Sequence, residues 1–142
     1  MSTNLTIGVR GHFCVRTADG RDMTPTYRKE RALLALLAVS SGTKRTRLWL
    51  QSKLWSQKDP SKAAANLRRA LANLKTSFGD EFSVIGSNRL EVWLEDGITI
   101  DFDNDQAPAA ELLENVDAPD PAFEDWLRDI RAADTGLTRY FI

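Results

Sequence analysis

Cysteine and histidine are almost absent: Cys14 and His12 are the single examples in 142 residues. A disulfide framework, a zinc knuckle or a Cys/His metal cluster each needs several ligands from that short list, so none is expected, and no cofactor is expected either. His12 and Cys14 fall on a predicted strand without sequence neighbours that make a nucleophile pair or a metal site, and read as structural. A glycine-rich phosphate loop and a nucleophile motif are also missing. The acidic residues lie in loops and on helix faces without a partner base, so the chain is not expected to be an enzyme. No apolar run approaches the roughly 20 residues that span a bilayer, and the polar start Met1-Ser2-Thr3-Asn4 is not a secretory leader. A cytoplasmic protein without a membrane partner is the expectation. The 42% of residues that are hydrophobic suffice for one domain of ordinary size and a small appendage.

Acidic residues are scarce in one half only. Residues 1–79 hold 15 Lys/Arg against four acids, a balance of +11, and residues 80–142 hold four against 16, a balance of −12, which the net charge of −1 conceals. Excess positive charge on this scale points to a polyanion partner, most often nucleic acid. The competing explanation is that the two halves neutralise each other across an internal interface.

Leu5-Thr6-Ile7-Gly8-Val9 alternates apolar with small or polar residues, Phe13-Cys14-Val15 repeats the tendency, and Ala18-Asp19-Gly20-Arg21 supplies turn chemistry before Met23. A small antiparallel meander is predicted. From Tyr27 the period changes: Leu33, Leu34, Leu36 and Leu37 give a broad apolar face, which predicts a helix over about 27–40 with Thr26 as its cap and Ser41-Gly42 as its stop. Thr46 caps a second, shorter helix carrying Leu48, Trp49, Leu50, Leu54 and Trp55. Asp59-Pro60 opens a third, the aspartate as side-chain cap and the proline at a position where its missing N–H costs nothing, and Gly79 ends it. Phe82-Ser83-Val84-Ile85 and Leu90-Glu91-Val92-Trp93-Leu94 read as strands joined by the turn Gly86-Ser87-Asn88-Arg89.

The remainder is acidic. Asp101 to Asp105 reads as a loop, Pro108 to Asn115 as a short helix, and Ala118-Pro119-Asp120-Pro121 as a break. A last helix over about 121–133 places Phe123, Trp126, Leu127 and Ile130 in one stripe, which either finds a partner within the chain or serves self-association. Trp49, Trp55 and Trp93 read as core. Three helices followed by a hairpin is winged-helix order, so an α+β fold is expected. Its parts are a winged-helix domain over 1–97, with a small N-terminal antiparallel sheet, and a short acidic helical extension over 98–142.

The third helix carries the functional expectation. With Leu67 as the origin and 100° per residue, Ala63, Ala64, Leu67, Ala70, Leu71, Leu74 and Phe78 form an apolar stripe, and Lys62, Ala65, Asn66, Arg69, Asn73 and Thr76 occupy the opposite arc. Lys62, Asn66, Arg69 and Asn73 are expected to contact bases in a major groove, since arginine pairs with guanine O6 and N7 and asparagine with adenine N6 and N7. Arg68 and Lys75 lie on one flank of this helix, Lys44, Arg45 and Arg47 cluster at the entry to the second, and Arg89 sits at the hairpin tip. All six suit DNA phosphates, which set register without reading sequence.

Arg31-Ala32-Leu33-Leu34-Ala35-Leu36-Leu37-Ala38, then Arg47-Leu48 through Leu54-Trp55, then Ala65-Asn66-Leu67-Arg68-Arg69-Ala70-Leu71-Ala72-Asn73-Leu74-Lys75 resemble the SARP family. These are bacterial transcriptional activators with an OmpR-type winged-helix DNA-binding domain followed by a helical bacterial transcriptional activator domain. Phe123-Glu124-Asp125-Trp126-Leu127-Arg128-Asp129-Ile130-Arg131 resembles the segment that opens that second domain. The resemblance implies sequence-specific binding of double-stranded DNA at direct repeats and recruitment of RNA polymerase holoenzyme. In the family the second domain runs well beyond the tryptophan-containing helix. This sequence is therefore expected to be either a piece of a longer activator or a short version whose last stripe packs on the winged helix. The rival expectation is a protein-interaction module on the same scaffold without DNA affinity, docking a partner through the acidic half with Phe123 and Trp126. Self-association through Phe123, Trp126 and Ile130 belongs to the same set of expectations.

Overall fold

The computed structural model describes residues 5–40, 43–80, 82–103 and 109–140, the last six of these by their backbone only. Over them the chain is α+β, with four helices and two three-stranded sheets. Strand β1 (Leu5–Gly8) pairs antiparallel with β2 (Cys14–Thr17), and their alternation buries Leu5, Ile7, Val15 and Thr17 while Thr6 and Arg16 face solvent. The third pass of the expected meander is reduced to a single bridge between Arg16 and Asp22.

Helix α1 (Arg28–Val39) buries every residue from Ala32 to Ala38. Its cap corrects the expectation: Tyr27 holds the N-cap without a side-chain bond, and Thr26 lies one residue outside. The guanidinium of Arg31 explains this, since it reaches back to the carbonyls of Pro25 and Thr26 at 3.1 and 3.0 Å and holds the entering chain. Ser40 is the C-cap, and the expected stop at Ser41-Gly42 lies outside the described residues.

Strand β3 (Arg45–Thr46) runs directly into helix α2 (Arg47–Leu54), where Thr46 Oγ1 accepts from the Trp49 N–H at 3.0 Å as the cap. Helix α3 (Pro60–Phe78) is capped by Asp59 Oδ1, which accepts from the Lys62 N–H at 2.9 Å. It ends at Gly79, whose φ of 73° is costly for a residue with a Cβ. Its apolar stripe is buried apart from Ala64, which is half-buried. Of the three tryptophans expected in the core, Trp55 is buried, Trp49 is half-buried at its edge, and Trp93 is half-buried apart from it.

The hairpin is β4 (Ile85–Ser87) and β5 (Glu91–Leu94), so both strands sit further along than expected and the turn is Asn88-Arg89-Leu90. Two contacts shift it. The Asn88 carboxamide closes the turn by accepting from the N–H groups of Leu90 and Glu91 at 2.9 and 2.7 Å. Gly86 sits in the strand because the Trp93 indole lies where a Cβ would stand. Strand β3 pairs with β5 on the other side, giving the order β3-β5-β4.

Strand β6 (Ile98–Asp101), at the start of the acidic part, pairs parallel to β1 and completes the order β2-β1-β6. Leu112, Leu113, Val116, Ala118, Phe123 and Leu127 join one buried cluster with Ile7, Leu33, Leu50 and Leu67, so the stretch 112–127 shares the core of the preceding part of the chain. The short helix expected at 108–115 is a correction. Pro108 lies outside the described residues, and 109–115 is a chain of turns with a bridge from Leu112 to Arg10. Its backbone is committed to the segment that follows β1 rather than to itself: the Gly11 N–H donates to the Glu111 carbonyl and the Leu113 N–H to the Val9 carbonyl, both at 2.8 Å. Helix α4 (Pro121–Tyr140) extends past the expected end. It packs on α2, burying Phe123 and Leu127 and half-burying Trp126 and Ile130, with the Phe123 and Trp126 rings 5.4 Å apart.

Candidate nucleic-acid interface

The buried stripe of α3 leaves three other directions around the helix, at about 100° per residue. Lys62, Ala65, Arg69 and Thr76 point away from the core; Ala64, Arg68 and Lys75 lie on one flank, and Asn66 and Asn73 on the other. The second flank meets α1, where Asn73 Nδ2 donates to the buried Glu30 carboxylate at 3.2 Å and Asn66 is half-buried. The four residues expected on one base-reading stripe fall within about 60° of one another around the helix. Lys62, Arg69 and Asn73 are exposed and Asn66 is half-buried, and Asn73 is already engaged by Glu30.

The first flank meets the hairpin. Lys75 Nζ donates to Ser87 Oγ at 3.3 Å, and beside it a groove of about 840 Å³ opens between α3, the start of α2 and the hairpin turn. Arg47, Arg68 and Arg89 line it together with Leu48, Ala64 and Leu90. The turn is pinned to α2: the Arg47 N–H donates to the Leu90 carbonyl at 2.8 Å, and Arg47 Nε donates to the Asn88 carbonyl at 2.8 Å. Arg89 projects from this fixed turn into solvent.

Two of the expected phosphate ligands, Lys44 and Arg45, lie elsewhere. Lys44 sits 4.4 Å from the Trp93 ring centroid, and Arg45 and Lys53 sit 4.2 and 5.6 Å from that of Trp49. Trp49 is about 200° around α2 from Arg47, so this basic and aromatic patch is on the far side of the helix from the groove.

Several other cations of the first half are held by groups inside the molecule. Arg10 makes a paired contact with Asp134 at 2.7 and 3.1 Å and also holds the carbonyls of Phe102 and Ala110. The hydrogen bond to Asp134 raises the Arg10 pKa against the opposing effect of burial. Arg28 grips both oxygens of Asp117 at 2.9 Å, and Arg31 reaches the Asn115 carbonyl at 3.2 Å. Lys29 lies 5.2 Å over Trp55 and donates to the Leu54 carbonyl; burial lowers its pKa, with Asp120 acting the other way. Asp120 is buried, which works against its ionisation. Hydrogen bonds from the Ser56 hydroxyl at 2.7 Å and from the Ser56 and Ala122 N–H groups at 2.8 Å nevertheless hold its pKa below the ordinary value. Among the described residues, by contrast, Lys62, Arg68, Arg69, Lys75 and Arg89 enter no ion pair.

Leu48, Leu90 and Ala64 are groove residues that the sequence placed on the second helix, in a strand and on the apolar stripe of the third helix. A signal existed for Leu48, which falls about 140° around α2 from the mean direction of Leu50 and Leu54 and so cannot share their burial. Leu90 carried none, because its exposure follows from where the turn closes. Among the described residues, no three His, Cys, Asp or Glu side chains gather as a metal site, and no helix is long and apolar enough to cross a membrane. No family model matches the chain, and no curated protein matches it.

Proposed function

We propose that this chain binds double-stranded DNA in a sequence-specific manner as a bacterial transcriptional regulator of winged-helix type, with α3 in the major groove and the β4–β5 hairpin flanking it. One observation carries the reading. Cations on the side that meets the acidic segment are held by carboxylates and carbonyls, whereas Lys62, Arg68, Arg69, Lys75 and Arg89 on α3 and the hairpin turn enter no ion pair among the described residues. A surface kept positive in this way favours a polyanion. Lys62 and Arg69 are the base-contacting pair in this reading, with Asn66 and Asn73 beside them, and Ala65 lets the helix approach base edges closely. Arg47, Arg68, Lys75 and Arg89 take phosphates, and Lys44 and Arg45, on the far side of α2, lie outside this track.

The resemblance to SARP activators adds an OmpR-type domain, a cytoplasmic protein, tandem sites in one orientation and RNA polymerase holoenzyme as the protein partner. The test is selection of the purified chain on a pool of random duplexes, with the retained fraction sequenced at two salt concentrations. Enrichment of a short motif, above all in tandem copies, is the expected result. Retention that vanishes with salt and enriches nothing overturns the reading in favour of a protein-interaction module.

A further inference from the structure

We infer that the groove between α2, α3 and the hairpin turn seats one sugar–phosphate strand of DNA, with Leu48 and Leu90 packed on deoxyribose and Arg47, Arg68 and Arg89 on its phosphates. The inference rests on the DNA-binding reading above and adds to it an apolar component that selects deoxyribose over ribose.

Three large hydrophobic residues are mostly exposed among those described, and the two most exposed, Leu48 at 75% and Leu90 at 74%, line this one groove. A lone exposed leucine requires no explanation, but two converging on the same trough make an apolar surface that a partner can bury. Neither is loosely held. Leu48 sits in the first turn of a helix capped by Thr46, and Leu90 in a turn whose backbone is fixed by Asn88 and by Arg47. Such preorganisation lowers the entropic cost of ordering the surface on binding.

Charge and shape select the occupant. Three guanidinium groups and one carboxylate, that of Glu91, line the groove, a net positive balance, and Ala64, with no side chain beyond its Cβ, leaves room for close approach of a backbone. Exposed Lys62 and Arg69 of α3 lie on one side of the trough and Arg89 on the other. A strand lying in it is then flanked by the major groove and the minor groove that it separates in a duplex. Arginine satisfies phosphate, and leucine satisfies the apolar edge of deoxyribose. A 2′-hydroxyl pressed against either leucine loses its hydrogen bond to water and finds none in return.

The test compares the full chain with Leu48→Ala/Leu90→Ala and Arg68→Ala. Fluorescence anisotropy is read on a short random-sequence DNA duplex and on an RNA duplex of the same sequence, at several KCl concentrations. The leucine variant is expected to bind DNA about tenfold more weakly, as follows from losing partial burial of two leucine side chains. Its dependence of log affinity on log salt stays that of the parent, its preference for DNA over RNA narrows, and its thermal midpoint is unchanged because both side chains are exposed. Arg68→Ala is expected to reduce the salt slope by about one. A leucine variant that binds DNA as the parent does, or that loses DNA and RNA equally, overturns the inference and leaves the DNA-binding reading standing. A parent chain that binds neither duplex overturns both.

Discussion

Two sides of this molecule use the same residue types to opposite ends. On the side of α1 and the β2-β1-β6 sheet, Arg10, Arg28 and Arg31 are fixed by Asp134, Asp117 and the Asn115 carbonyl of the acidic segment, and act as struts. On the side of α3 and the hairpin turn, Arg68, Arg69 and Arg89 meet no carboxylate among the described residues and project as ligands for something else. The sequence puts five of these six in the basic half and Arg89 in the acidic one. Counting charge along the chain therefore overstates the surface available to a polyanion, and counting it over the whole molecule hides that surface. The acidic half does neutralise the basic half, but over one side only.

This contrast can be broken from its interior side first. Phe123→Ala, which empties a wholly buried site where α4 joins the core, is expected to destabilise by about 3–5 kcal/mol in urea denaturation. A loss below about 1 kcal/mol would mean that the acidic segment is a loose cover and the strut description fails. Arg10→Ala removes a paired, partly buried charged contact and should cost about 2 kcal/mol of stability. The salt dependence of DNA binding should not change with it. Arg69→Ala is the mirror image: no change in the unfolding midpoint, and about 1–3 kcal/mol lost from DNA binding if the side chain reads a base, with preference relaxed at one position. Equal weakening on every sequence would reassign Arg69 to a phosphate.

Acid sharpens the same division. The folded Asp120 pKa lies below its ordinary value of about 3.9, so its stabilising contribution is complete above that value and is lost as pH falls through the folded one. Asp120→Asn should flatten the acid limb of a stability-versus-pH curve while leaving its shape near neutrality unchanged. The smallest effect belongs to Arg28→Ala. Its pair with Asp117 is well formed but solvent-exposed, and no measurable change in the thermal midpoint is expected.

Local chemistry made much of this legible. The caps at Thr46 and Asp59, the stop at Gly79 and the apolar stripe of α3 depend on neighbours within a few residues, and sequence and structure agree on them. The hairpin position did not follow from strand-like composition, because Asn88 and the packing of Trp93 on Gly86 decide where the turn closes. The segment from 109 to 115 has the composition of a helix, yet its N–H and carbonyl groups are taken by Val9, Gly11 and three arginines distant in sequence. The candidate site was legible to the same depth. Periodicity found the polar arc of α3, but only the packing of α1 against α3 reveals that Asn73 is tied to Glu30. Which arginines remain outside ion pairs depends on where an acidic chain about a hundred residues away lies down.

The order of the first sheet has a consequence in time. Its central strand is β1, near the start of the chain, and one of its two neighbours is β6, residues 98–101. Until β6 arrives, β1 and β2 are a lone two-stranded ribbon, a structure of marginal stability in water. At roughly 5–20 residues per second of synthesis, the interval between the end of β2 and the start of β6 is about 4–16 s. Through that interval the apolar face of the ribbon is unfinished while the three helices between emerge and are free to pack. The sheet is thus closed by one of the later strands made, and the long-range pairing of β1 with β6 is where slow folding and misassembly concentrate.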